Sequence, residues 1–361
     1  MVNYSEFVFN FDTELPDSGE ITCSSPSNIA LVKYWGKRPV QLPENTSISF
    51  TLNTCKTITK LSYKKRNNFD NDYDFQLLFE GKEKLDFRPK IQKFFERIVQ
   101  YQPFIKQYSF IIDTNNTFPH SSGIASSASG MSALAYCLMQ LEKMITPNIT
   151  ESFLLKKASF LARLGSGSAC RSLQGPLMVW GKHQHITDST DDFAVPFSET
   201  IHDNFKNYQD TILLVDKGEK QVSSTVGHDL MHGHPFASKR FEQATENIIA
   251  LKSVLVSGDL DGFITIVESE ALTLHAMMMT SLPYFILMKP NTLTIIQHIW
   301  NYRAETGSKV CFTLDAGANV HILYPENEKE EVLQFITNKL VGYCQNEQYI
   351  CDAVGFGAEL L

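Results

Sequence analysis

Four short segments carry side chains whose types and spacing suit chemistry on an anionic substrate. In PHSSGIASSASG (residues 119–130) hydroxyl groups and glycines crowd together between an alternating apolar run and a helical repeat. Backbone N–H groups without partners and the positive end of a helix dipole favour an anion at such a junction. A simple capped turn has the same composition, and no GKS or GKT follows, so this is not a Walker loop. In NIALVKYWGKR (28–38) an apolar run leads to Lys33, whose ammonium would enter partly buried ground and need an acidic partner or a bound anion. The bland alternative leaves Lys33 and Lys37 solvated and Tyr34 and Trp35 in a core. GSGSACRS (165–172) combines close backbone approach and hydroxyl donors with the planar fork of Arg171, which suits a carboxylate or phosphate; on these residues alone a helix C-cap with an exposed arginine is the better reading. In FTLDAGANVHILY (312–324) Asp315 closes an apolar strand before a glycine-containing turn, either as a turn former or as a carboxylate presented by a scaffold.

The elements that must position these groups can be read from periodicity. SISFTLN, KTITKLSY and DFQLLFEG alternate as strands, and YSFIID is a strand feeding the 119–130 loop. After that loop, Leu134, Cys137, Leu138 and Leu141 fall at i, i+3, i+4 and i+7, one apolar stripe of a helix, with Ser126 to Ser129 near its start. KIQKFFERIVQY and SFLLKKASFLARL also read as helices, the second ending at GSGSACRS and followed by the strand PLMVWG. The polar stretch KHQHITDSTDDFAVPFSET is the expected domain boundary. Beyond it come a strand DTILLVD, long helical patterns around 238–305, a hairpin-like VCFTLDAGANVHILY and a helix KEEVLQFITNKL. Strands and helices mix without a βαβ rhythm, which predicts an α+β fold.

The chain has 361 residues, enough for one large or two medium domains, and an ordinary globular composition, 43% hydrophobic and 20% charged. A net charge of −8 argues against a basic nucleic-acid surface, though not against a locally positive site. Seven cysteines occur with no CxxC pair, signalling neither a zinc site nor a disulfide framework. No secretion signal and no run of about 18 apolar residues is present, so a soluble, cytoplasmic protein without a membrane partner is expected.

Taken in order, SNIALVKYWGKR, PHSSGIASSASG, RLGSGSACRSLQG and FTLDAGANVHIL resemble the mevalonate diphosphate decarboxylases, members of the galactokinase, homoserine kinase, mevalonate kinase and phosphomevalonate kinase superfamily. VSST (222–225) and SEALTLHAMMMTSLP around His275 extend the likeness from about Ser25 to Pro325. The resemblance implies an N-terminal domain like ribosomal protein S5 over residues 1–190, a ferredoxin-like C-terminal domain over 191–361, and an active cleft between them. It further implies ATP- and Mg2+-dependent decarboxylation of mevalonate 5-diphosphate to isopentenyl diphosphate, a step of isoprenoid biosynthesis, by a homodimer.

By the same resemblance Asp315 lies beside the substrate 3-hydroxyl with Lys33 close to it, and Arg171 holds the substrate carboxylate. Tyr34, Lys37, Ser166, Ser168, Ser223 and Ser224 line the substrate and its diphosphate. Pro119, Ser122, Gly123, Ile124, Ala125, Ser126, Ser127 and Ala128 form the ATP-phosphate loop, with Ser127 also toward magnesium. The chemistry wants such a set: a carboxylate orients a weak tertiary-alcohol nucleophile, a cation keeps it ionised, and phosphate leaves where hydroxide would not. This chain departs from the family at His120, Ser121 and Ser122 (usually Thr-Ala-Ala), at Gln41 (usually Asn), in a shorter segment after Arg38, and at Thr225, where some members carry arginine. His120 is read as a loop residue without catalytic duty. The alternatives are decarboxylation of mevalonate 5-phosphate, a 3-kinase that stops before decarboxylation, and a ligand sensor without turnover.

Overall fold

The computed structural model describes residues 4–9, 14–67, 72–119, 124–216 and 224–361. Its first half alternates long strands and helices: β1 (Ser18–Val32), the small hairpin β2 (Lys37–Arg38) and β3 (Leu42–Pro43), β4 (Ser47–Lys65), β5 (Asp74–Phe79), β6 (Lys82–Glu83), α1 (Arg88–Ile98), β7 (Tyr108–Asn116), α2 (Ser126–Ile145), α3 (Glu151–Gly165), β8 (Leu177–Trp180) and β9 (Val195–Pro196). SISFTLN and KTITKLSY, expected as separate strands, run together as β4, because Asn53 and Thr54 stay extended while their N–H groups donate to Asp352 Oδ1, both at 2.9 Å. The order β14-β1-β4-β7-β5-β6, with β8 beside β4 and β9 beside β8, makes an eight-stranded sheet among the described residues. One face buries the apolar stripes of α1, α2 and α3, including Phe94, Phe95, Leu134, Leu138 and Phe160.

The second half continues with β10 (Gln209–Leu213), α4 (Ser224–Asp229), α5 (Ala237–Ser257), α6 (Leu260–Met279), α7 (Pro290–Thr306), β11 (Cys311–Thr313), β12 (Val320–Tyr324), α8 (Lys329–Phe335), β13 (Tyr349–Ala353) and β14 (Glu359–Leu360). Here the antiparallel order β11-β12-β10-β13 forms a four-stranded sheet packed against the helices. The result is the mixed α+β architecture expected from the sequence. After β13 the chain returns to the first sheet, where β14 pairs with β1. Helices α5 and α6 pack on β1 in turn. The end of β1 and the β11–β12 turn thus face one another where the two halves meet. Among the described residues no helix is long and apolar enough to cross a membrane.

Candidate active site

Lys33 follows the last residue of β1. Its side chain is 2% exposed, and its Nζ donates to Asp315 Oδ1 at 3.2 Å. Asp315 stands just past β11, in a turn closed by the Gly317 N–H donating to the Asp315 carbonyl at 2.7 Å. Lys33 comes from the first sheet and Asp315 from the second, so the pair joins the two halves of the molecule. Burial pushes the Lys33 ammonium below its ordinary range; the Asp315 and Glu270 carboxylates oppose that shift, and Arg171 adds to it.

Arg171 projects from a 3-10 turn, Gly167–Ser172, made possible by its small residues. A Cβ on Gly167 would stand 2.7 Å from the Trp180 ring and 2.9 Å from the Tyr34 hydroxyl, so only glycine fits. The turn is tied to β1 through Asn28, whose Nδ2 donates to Ser172 Oγ at 2.8 Å and whose Oδ1 accepts from Arg171 Nε and Nη2 at 3.3 and 3.2 Å. Ser47 Oγ accepts a further short hydrogen bond from Nη1. The guanidinium is therefore buried yet fixed, and it sits close enough to feel the Asp315 charge.

Facing these groups is the start of α2. Ala125 adopts a left-handed conformation (φ 44°, ψ 36°) that turns the chain into the helix. Ser127 Oγ donates to Ser166 Oγ at 3.3 Å and accepts a short hydrogen bond from Lys90 on α1. On the other side, the His228 ring lies 4.2 Å from that of Tyr34 and 4.6 Å from that of Trp35, and its Nδ1 accepts the Gly36 N–H at 3.0 Å. Burial, with the charges of Lys37 and Arg171, lowers His228 to about 3, so the ring is neutral. Lys37 lies 3.8 Å from Asp229.

One cleft is lined by Lys33, Tyr34, Lys37, Ala125, Ser126, Ser127, Ala128, Ser166, Ser168, Arg171 and Asp315, residues drawn from all four sequence segments. Ile124 is instead buried in the core, its carbonyl accepting from Ser27 Oγ at 2.5 Å. Pro119, the first residue of the loop, does not line the cleft. Ser122, Gly123 and Ser223, like His120 and Ser121, lie outside the described residues, while Ser224 opens α4. The flagged Gln41 also reaches the cleft. The sequence reading missed Lys90, Asn28 and His228. Lys90 precedes Ile91 on an amphipathic helix, where nothing distinguishes it from the neighbouring Lys93. Beside the cleft, and sharing Lys90, Ser126 and Ser127 with it, lies an apolar pocket between Leu77, Phe79, Phe87 and Met131 with Thr114 and Asn116 at its edge.

Both halves of the chain are similar to known proteins. Residues 25–191 match the diphosphomevalonate decarboxylase-like N-terminal domain, and residues 211–355 match the mevalonate 5-diphosphate decarboxylase C-terminal domain. A diphosphomevalonate decarboxylase of Ganoderma lucidum is 30% identical over 94% of this chain and 86% of its own. The chain belongs to the diphosphomevalonate decarboxylase family. Among solved members of that family, mevalonate diphosphate decarboxylase from Staphylococcus aureus superposes with a TM-score of 0.80 at 27% identity, covering 95% of this chain and 98% of the other. A complex of MDDEF with MVAPP, AMPPCP and magnesium does so with the same TM-score and identity, covering 95% and 99%. The two-domain decarboxylase fold is thus that of this chain.

Proposed function

We propose that this protein decarboxylates mevalonate 5-diphosphate in an ATP-dependent reaction, releasing isopentenyl diphosphate, CO2, phosphate and ADP. The observation that carries the reading is the Lys33–Asp315 pair, which opens into the same cleft as Arg171 and the N-terminus of α2. The family relationship supports it.

In this reading Asp315 orients the tertiary 3-hydroxyl and accepts its proton as the hydroxyl oxygen attacks the γ-phosphorus of ATP. Lys33 holds Asp315 in place and offsets charge on the incoming phosphoryl group. The first-turn amides of α2 and the hydroxyls of Ser126 and Ser127 receive the nucleotide's phosphates, and Lys90 adds the cation that the loop itself lacks. Arg171, braced by Asn28 and Ser47, grips the substrate carboxylate. Departure of the 3-phosphate leaves an electron-poor carbon beside Asp315. The bond to the carboxylate then breaks, its electron pair forms the new C=C bond, and CO2 departs. Tyr34, Lys37, Ser166, Ser168, Ser223 and Ser224 take the diphosphate end. The apolar pocket between Phe79, Phe87 and Met131 takes the nucleoside base.

The described residues contain no cluster of three acidic, histidine or cysteine side chains able to hold a metal. Magnesium is a hard cation that keeps several waters and is held chiefly through substrate phosphates, so a single hydroxyl such as that of Ser127 at the start of α2 suits it. Ser127 would supply the protein oxygen, and the ion would neutralise charge on the transferring phosphoryl group.

We read residues 1–190 and 191–361 as the two domains, a division supported by the separate sheets, although β9 (Val195–Pro196) and β14 both belong to the first sheet. A homodimer and a cytoplasmic location follow from the resemblance, and sedimentation and cell fractionation test them. The decisive assay compares kcat/KM for mevalonate 5-diphosphate and mevalonate 5-phosphate while measuring CO2 and ADP together. Stoichiometric CO2 and ADP with the diphosphate preferred is the expected result. ADP without CO2, or preference for the monophosphate, would overturn the assignment.

A further inference from the structure

We propose that helix α6 is the gauge that sets the spacing of the Lys33–Asp315 pair, with Glu270 and His275 as positioning residues and Arg240 as the partner that holds Glu270. This rests on the reading of that pair as the reacting centre.

Each member of the pair is held by its main chain, and α6 supplies a contact to both. Ladder pairing of β1 with β4 ends at Val32↔Ile48, so the peptide groups of Lys33 need other partners. The Lys33 N–H donates to Glu270 Oε2 at 2.8 Å. The Lys33 carbonyl accepts from Arg240 Nη2 at 3.2 Å and from Asn45 Nδ2 at 2.9 Å. Further along α6, His275 Nε2 donates to the Asp315 carbonyl at 3.1 Å, the same oxygen that receives the Gly317 N–H. Burial holds the His275 imidazole down at about 4, so the ring is neutral, and a carbonyl partner requires that its one proton be on Nε2.

Peptide groups at a strand end can be satisfied by any neutral donor and acceptor. Here they are met by an ion pair sealed from solvent, in which the buried Arg240 Nε is left without a hydrogen-bond partner among the described residues. Arg240 and Glu270 side chains are both 0% exposed and joined by two hydrogen bonds, Nη1–Oε1 at 3.0 Å and Nη2–Oε2 at 2.5 Å. Asn247 Nδ2 adds a third to Glu270 Oε1 at 2.6 Å. Sealing two charges away from water is unfavourable unless their hydrogen bonds are saturated, so stability alone gives little reason for an ionic anchor at this place. An ionic anchor is, however, stiff and directional. The Glu270 carboxylate also opposes the loss of charge that burial imposes on Lys33. A rigid helix separates residues 270 and 275 by about 7.5 Å along its axis. Two anchors on such a helix hold the end of β1 and the β11–β12 turn at a fixed distance, and the 3.2 Å contact between Nζ and Oδ1 follows from it.

The test compares the parent with His275→Leu, which removes the donor, His275→Gln, which keeps an amide donor, and the neutral pair Glu270→Gln/Arg240→Gln. Two readouts are taken: the Nζ–Oδ1 distance in crystal structures, and kcat separately from KM. His275→Leu is expected to widen the gap beyond about 3.5 Å, the limit of a hydrogen bond. Its kcat should fall roughly 10- to 100-fold with both KM values within about twofold, as for a misplaced reacting group. His275→Gln should restore most of both. The double variant should behave like His275→Leu. An unchanged gap in either disrupted variant overturns the inference, as does a His275→Gln protein no better than His275→Leu. If His275→Leu fails to fold, the double variant carries the same readouts; failure of both to fold overturns positioning in favour of a purely structural role. The distance is read without turnover, so an inactive parent would sink the functional reading while the gauge is still judged.

Discussion

Two buried lysines of this protein each face a carboxylate, and they do opposite work. Lys157 on α3 is 1% exposed and Glu142 on α2 is 3% exposed. The Lys157 ammonium donates to both Glu142 oxygens, at 2.6 and 2.8 Å, and to the Tyr101 carbonyl at 3.3 Å, which uses all three of its protons. Gln102 completes the carboxylate from the other side at 2.8 Å. Lys33 is just as buried, but among the described residues its ammonium makes one hydrogen bond, at 3.2 Å, to an aspartate that is 28% exposed to the cleft. The saturated pair is a strut between helices. The Lys33 ammonium keeps donor capacity for a ligand, beside a carboxylate that is partly exposed to the cleft. Residue type does not separate the two; the number of bonds already made does.

The strongest way to break this comparison is Asp315→Asn. It keeps the shape and removes the base, so kcat should fall by about 1,000-fold or more while isothermal titration still detects substrate binding. Near-normal turnover would end the assignment. Next come the two lysines, exchanged for methionine one at a time. Lys157→Met leaves the Glu142 carboxylate buried without its cation and should cost about 3 to 5 kcal/mol in urea unfolding, with kcat of the folded protein unchanged. Lys33→Met should lower kcat about 100-fold yet leave stability level or improved, because it removes a charge that burial disfavours and its partner retains access to solvent. If both variants lost stability alike, the distinction between strut and site would fail.

A smaller effect concerns pH. Burial lowers His275 to about 4 and His228 to about 3, both below the unfolded value near 6.5. Between pH 6.5 and about 4 the unfolded chain binds protons at these positions and the folded chain does not, so stability must fall as pH falls. Each group contributes a slope of up to about 1.4 kcal/mol per pH unit. Denaturant melts from pH 7 to 5 should show this loss, and His275→Gln should flatten it. Smallest of all is Asp229→Asn. Its carboxylate is 57% exposed and 3.8 Å from Lys37, so the change should move stability by less than about 1 kcal/mol. A larger shift in a thermal melt would mean that the Lys37 pairing is structural.

Much of this was legible beforehand for a definite reason. The α2 stripe of Leu134, Cys137, Leu138 and Leu141 is a local periodicity and survives intact in the structure. Lys33, Arg171 and Asp315 stood out because a cation after an apolar run, an arginine among small residues and an aspartate at a strand end are unusual on local grounds alone. Lys90, Arg240 and Glu270 gave no such sign, since each is a charged residue in an amphipathic helix where a solvated face is the ordinary outcome. Strand β13 and its cap on β4 were also missed: Asp352 satisfies the N–H groups of Asn53, Thr54 and Cys55 from some 300 positions away, and no local pattern announces such a contact.

The amino-acid sequence by itself determined which elements form, through hydrophobic period and turn chemistry, and which residue types were available for reaction. Tertiary structure alone decided which lysine was saturated and which was left open, and that Lys33 and Asp315, 282 positions apart, would meet at 3.2 Å. The physical reason is that the ionisation and hydrogen-bonding capacity of a side chain depend on burial and on partners contributed by distant segments. Those exist only once the two sheets have closed around the cleft.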